Sequence, residues 1–98
     1  NVELNFNSSA VAGFDLYQNT PNPFTTETAI GFNLGTAKAA TLTISDISGK
    51  VIKVIEVDGV KGYNQVVLSR NEVSAAGILY YQLDTDTDSA TKKMILID

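Results

Sequence analysis

The sequence predicts an all-β protein, an immunoglobulin-like antiparallel β-sandwich of about seven short strands. Three observations carry that prediction. Apolar residues recur with a period of two along the chain, turn residues interrupt them at short intervals, and no segment keeps a helical period for the length a helix needs. A chain of 98 residues, 44% apolar and 18% charged, has the size and composition of one folded domain with at most a short flanking arm. Such a chain buries roughly two-thirds of its unfolded surface.

The elements follow in order. Val2, Leu4 and Phe6 alternate with polar residues, and residues 7–13, rich in Ser, Ala and Gly, read as a linker. Residues 1–12 are therefore expected to be a linker or the last strand of a preceding domain, and residues 13–98 the domain itself. A short strand is expected over 14–18. The loop 19–24 follows, where Pro21 and Pro23 remove ladder donors and push their predecessors to extended geometry; a stiff crossing between sheets is expected there. Thr28, Ile30, Phe32 and Leu34 give the next strand one buried face, and residues 35–39 turn the chain. Leu42 and Ile44 alternate with Thr41, Thr43 and Ser45, after which Asp46-Ile47-Ser48-Gly49 fits a type I turn with Asp first and Gly fourth. The return strand is expected over residues 50–57, and its stretch Val51-Ile52-Lys53-Val54-Ile55 is apolar on both faces with one lysine interrupting, which predicts a central or covered strand. Gly59-Val60-Lys61-Gly62 reads as a hairpin loop leading to Val66 and Leu68, and residues 69–77 form a longer connection. Two last strands, 78–83 and 91–97, flank the polar loop 84–89.

Composition excludes several functions. Seven basic residues face eleven acidic ones, a net charge of −4, which disfavours nucleic acid and anionic lipid as partners. Cysteine and histidine are both missing, so thiolate chemistry, disulfides, the commonest general base and the commonest transition-metal ligand are unavailable. No cofactor is expected, and the chain is not expected to be an enzyme. No apolar run reaches the ~18 residues that cross a bilayer, and the first residues contain no leader-like block, so the chain reads as a piece of a longer parent.

Four local patterns deserve weighing. Asp84, Asp86 and Asp88 have the alternate spacing that opens a calcium loop, but Ser89 stands where that loop turns on glycine and Ile95 where it needs glutamate. They are weak metal candidates, and a solvated hairpin tip is the expectation. Ser89-Ala90-Thr91-Lys92 matches a Ser-x-x-Lys nucleophile pattern, yet on a strand its two ends point to opposite faces. The Gly59–Gly62 spacing matches a nucleic-acid clamp that lies between helices this sequence does not have. Tyr17, Tyr63, Tyr80 and Tyr81 are expected to pack in the core or its rim, with a sugar-stacking surface as the alternative.

Taken together, the turns and strands from Phe14 to Asp98 resemble the type A C-terminal sorting domain of the type IX secretion system of Bacteroidota. Leu16-Tyr17 followed by Pro21-Asn22-Pro23-Phe24 is similar to the family's opening signature, and Ile30-x-Phe32-x-Leu34 to its first core strand. Leu42-x-Ile44-x-Asp46-x-x-Gly49-Lys50-Val51 is similar to the family hairpin, Gly62-Tyr63 with Val66 to the next strand, and Gly77-Ile78 with Tyr81-x-Leu83 to the penultimate one. Thr91-Lys92-Lys93-Met94-x-Leu96 resembles the terminal signature. Leu79 departs from the family's usual aromatic, and Asp98 from its frequent basic residue.

The resemblance implies a non-catalytic address label behind a secreted cargo. The cargo enters the periplasm by its own signal and crosses the outer membrane, to be secreted or held at the cell surface. The implied partners are the outer-membrane translocon and shuttle proteins, a sortase-like cysteine peptidase that cuts near or before residues 7–13, and N-terminal cargo domains. The residues expected to carry recognition are Pro21, Asn22, Pro23, Phe24, Lys92, Lys93, Met94 and Leu96. The two lysines are read either as a basic pair at an apolar edge strand, open to strand addition or to a grip on the terminus, or equally as charges that only guard that edge against aggregation. The alternative function is an immunoglobulin-like adhesive or carbohydrate-binding module of a cell-surface protein, marked by exposed aromatics.

Overall fold

The computed structural model describes residues 13–73 and 76–97. The strand candidate at 2–6 and the linker up to residue 12 lie outside the described residues. Seven strands are present among those described: β1 (Asp15–Leu16), β2 (Glu27–Leu34), β3 (Lys38–Asp46), β4 (Val51–Gly59), β5 (Gly62–Ser69), β6 (Gly77–Asp84) and β7 (Ser89–Leu96). A 3-10 turn, Arg70–Glu72, sits between β5 and β6. The strands form two antiparallel sheets, ordered β1-β2-β5 and β4-β3-β6-β7. The expected β-sandwich is the fold observed.

The period-two pattern explains the packing directly. Ile30, Phe32 and Leu34 from β2, Leu42 and Ile44 from β3, Leu79, Tyr81 and Leu83 from β6, and Met94 and Leu96 from β7 all point into one shared core. Leu79, where the sequence departs from the pattern it resembles, is fully buried in this core. The turn at Asp46 closes as its residues require. Gly49 N–H donates to the Asp46 carbonyl at 3.0 Å with Gly49 at φ 93°, while the Asp46 carboxylate accepts from Ser48 N–H, the Ser48 hydroxyl and Lys50 N–H. Those donors, the Ser48 hydroxyl foremost, hold the Asp46 carboxyl below its ordinary pKa.

Two expectations are corrected. The strand β4 is not central but lies at the margin of the four-stranded sheet, with Val51 and Val54 more than half exposed. Its β-branched residues reflect fitness for a pleated surface rather than burial on both faces. Only Ile52, Ile55 and Val57 pack against the core, and a register shift opposite Ile44 and Ser45 together with Lys53, Glu56 and Asp58 guards the margin against further pairing. The loop from Gly59 to Gly62 is likewise no hairpin, because it carries the chain from β4 in one sheet to β5 in the other. The Asn64 side chain holds it, accepting from Val60 N–H and donating to Val60 C=O, both at 2.9 Å.

Of that loop's glycines, Gly62 sits at φ 95°, whereas Gly59 is required by space. A Cβ at Gly59 would lie against the Leu34 side chain and 2.9 Å from the Lys38 carbonyl oxygen, which belongs to the paired backbone of β3 and cannot step aside. Gly59→Ala is expected to destabilise the domain by about 1–3 kcal/mol through overpacking. Urea denaturation measures this, and an unchanged midpoint would show that the sheets separate at no cost.

Candidate recognition site

The site begins at a tyrosine. The Tyr81 ring is buried in the core on β6, and its hydroxyl reaches the segment after β1, accepting from Asn19 N–H at 2.9 Å and donating to the Tyr17 carbonyl at 2.7 Å. One side chain of the four-stranded sheet therefore pins the entry segment of the three-stranded sheet. Asn19 and Thr28, both buried and polar, complete the anchor. Asn19 Nδ2 donates to Thr28 Oγ1 at 3.0 Å and to the Pro21 carbonyl at 3.1 Å, and Thr28 Oγ1 donates to the same carbonyl at 2.9 Å. Buried polar groups persist where each finds a partner, and these do.

From this anchor the loop spans both sheets. Thr20 bridges antiparallel to Ala29 on β2, the Thr20–Pro21 and Asn22–Pro23 bonds are cis, and Phe24 bridges parallel to Leu96 on β7. The prolines thus sit in a crossing between sheets, as expected. The Phe24 ring is buried while its backbone lies along the outer side of β7.

That outer side is closed group by group. Gln18 Nε2 donates to the Lys93 carbonyl at 2.7 Å, Ile95 N–H donates to Asn22 Oδ1 at 2.9 Å, and Phe24 N–H donates to the Ile95 carbonyl at 3.0 Å. Ile97 N–H donates to the Phe24 carbonyl at 2.9 Å, and Arg70 Nη1 donates to the Ile97 carbonyl at 3.0 Å. The same Arg70 nitrogen donates to the Thr25 carbonyl at 2.9 Å, and Arg70 N–H donates to the Thr26 carbonyl. Side chains and loop backbone together act as a substitute strand along Lys93 to Ile97. This part of β7 is a covered edge rather than one open to strand addition.

The two segments singled out in the sequence therefore meet, although their residues differ in availability. Pro21, Asn22, Pro23 and Lys93 are exposed, Lys92 is half-buried, and Phe24, Met94 and Leu96 are core residues. Alternation on β7 places Lys92 on the inner side with Met94 and Leu96, and Lys93 on the outer side with Ile95. The lysines are thus not a paired basic patch but two charges on opposite sides of one strand. Gln18, Asn19, Arg70 and Tyr81 were not singled out as site residues by sequence reasoning. Polar residues spaced so widely along the chain have no period or motif, and only the tertiary fold brings them together.

The remaining patterns have other partners. Asp86 pairs with Lys38 Nζ at 3.0 Å, Asp84 accepts from Gln82 and the Ser89 hydroxyl, and Asp88 accepts from the Thr87 hydroxyl. Among the described residues no group of three or more acidic side chains gathers in a way that could hold a metal ion. The Ser89 hydroxyl is thus engaged with Asp84, and Lys92 lies farther along the same strand. Tyr80 is half-buried and Tyr81 buried, whereas Tyr17 and Tyr63 are exposed.

Removing the Tyr81 hydroxyl tests the anchor. Tyr81→Phe leaves the Asn19 N–H and the Tyr17 carbonyl without this partner and is expected to cost about 1–3 kcal/mol, read by urea denaturation. Burial raises the Tyr81 phenol above its ordinary pKa, an effect the Asn19 N–H partly opposes. The native state therefore holds this proton longer than the unfolded chain does. Its contribution is complete below the ordinary tyrosine pKa and is lost as pH rises through the raised value. Tyr81→Phe should flatten that part of the alkaline decline, and an unaltered decline would show that the hydroxyl is not buried.

A family model for the secretion system C-terminal sorting domain matches residues 20–97. The match takes in both the proline loop and β7, and it begins just after Leu16-Tyr17. No match was found among curated proteins. With most of its length matched, the chain belongs to the C-terminal sorting domain family, whose members are the sorting signal of type IX secretion and imply export across the outer membrane to a secreted or cell-surface state.

Proposed function

We propose that the domain acts without catalysis, as a folded label whose address is the joint surface of the proline loop and the last strand. Residues 13–98 form the label, and residues 1–12 are the linker or the last strand of a preceding cargo domain. The outer-membrane translocon and its shuttle proteins are the readers, after the cargo has entered the periplasm. A sortase-like cysteine peptidase then cuts near or before residues 7–13, and the cargo is anchored or released. Pro21, Asn22, Pro23 and Lys93 supply exposed contacts, Lys92 a half-buried charge, and Phe24, Met94 and Leu96 hold the two segments in place from within.

One observation supports this reading above the rest. Segments more than seventy positions apart, Asn22 and Ile95 among them, are joined by direct hydrogen bonds into one unit. A reader that touches the terminus of β7 therefore also touches the loop. Because the edge from Lys93 to Ile97 is already paired, recognition of the folded label goes through side chains rather than through an added strand.

The test is a fusion of this chain behind a periplasm-targeted fluorescent reporter, in a bacterium carrying the type IX system, followed by fractionation. The intact fusion is expected at the surface or in the medium, and a fusion lacking residues 92–98 in the periplasm. An intact, folded fusion that stays periplasmic would overturn the proposal.

A further inference from the structure

The outer face of the three-stranded sheet carries a feature that lies outside the address proposed above. Tyr17 and Tyr63 are 41% and 60% exposed, yet their rings stack, with centroids 6.1 Å apart and planes 28° from parallel. The central strand makes this possible. A Cβ on Gly31 would come within 2.8 Å of Tyr63 Cε1 and Cζ, so the Tyr63 ring occupies the space above the bare backbone of Gly31 while the residue stays largely exposed. Tyr17 N–H donates to the Gly31 carbonyl at 3.0 Å, which sets Tyr17 on the opposite flank of the same glycine.

Register fixes what surrounds the rings. Asp15 and Tyr63 both pair with Asn33, and Gln65 pairs with Gly31, so Asp15 and Gln65 stand at the other two corners of the square the tyrosines occupy. Both are exposed, and among the described residues neither side chain has a hydrogen-bond partner. No lysine or arginine lies on the outer face of these strands.

We propose that this face is a binding platform for a neutral glycan, taking the flat face of a pyranose ring. The C–H groups of a pyranose face are apolar and carry slight positive charge, which suits the negative face of an aromatic ring. Its equatorial hydroxyls point outward in the ring plane, toward where the Asp15 carboxylate and the Gln65 amide wait. A protein surface laid on the same square would desolvate those two groups and have to supply matching partners, whereas sugar hydroxyls supply both donors and acceptors. The lack of a basic side chain speaks against anionic sugars.

Amide-shift mapping on the whole chain tests this, with cellohexaose, xylohexaose and mannohexaose as probes and a hexameric polyuronate as control. At least one neutral hexasaccharide is expected to shift the amides of Tyr17, Gly31, Tyr63 and Gln65, and Tyr63→Ala to weaken that binding about tenfold. Gln65→Ala, an exposed change that leaves the rings in place, should weaken the same binding with no change in melting temperature. The platform is refuted if no neutral probe shifts these amides at about 10 mM, a weak-binding limit, or if the shifts fall elsewhere. Shifts at these amides that grow with protein concentration alone, with a dimer in sedimentation, would give the face to a second copy instead.

Discussion

A terminal strand at the margin of a sheet leaves every second residue with its carbonyl and N–H turned away from its neighbour, and a folded chain must satisfy them or leave them to water and to other strands. Here the answer to that constraint organises the molecule. The groups from Lys93 to Ile97 are met by Gln18, Asn22, Phe24 and Arg70, drawn from two different connections. Each bond contributes only about 0.5–1.5 kcal/mol on its own. Their joint effect is to tie β7 to the loop between β1 and β2 and to close an edge on which other chains could otherwise pair.

The loop can do this because it is held from below. Tyr81, Asn19 and Thr28 fix the chain before the prolines, and the buried Phe24 ring fixes it after them. Between those anchors Thr20, Pro21, Asn22 and Pro23 face solvent, and of these Asn22 turns a side-chain acceptor onto β7. Sequence order, core packing and edge closure thus converge on one short stretch. The opening and closing signatures of the family are two halves of a single structural unit, a more physical reason for their joint presence than two separate contact sites.

Much of this was legible in the sequence and some was not, for definite reasons. Thr28 to Leu34 and Leu42 with Ile44 alternate cleanly, and each became a strand with the expected inner face, because a strand's side-chain period is local. The Asp46 turn was legible because its hydrogen bonds are made within five residues. Which sheet a strand joins is not a local property. Hence Val51 to Val57 passed for a covered strand and Gly59 to Gly62 for a hairpin, though both are explained by a crossing between sheets. The proline loop and β7 could be marked as notable on resemblance, but their contact depended on Arg70 and Tyr81, whose roles have no signature in sequence.

Hydrogen exchange at single amides measures the closed edge directly. Ile95 and Ile97 donate to the loop, whereas Thr91, of the same parity on β7, lies beyond its reach. If the loop closes the strand, Ile95 and Ile97 exchange as slowly as the inner strand β6, Thr91 exchanges fast, and Asn22→Ala frees Ile95 while leaving Ile97 protected. Exchange at Ile95 and Ile97 as fast as at Thr91 in the unaltered chain would mean that the edge stands open, and that the two signatures are not one unit.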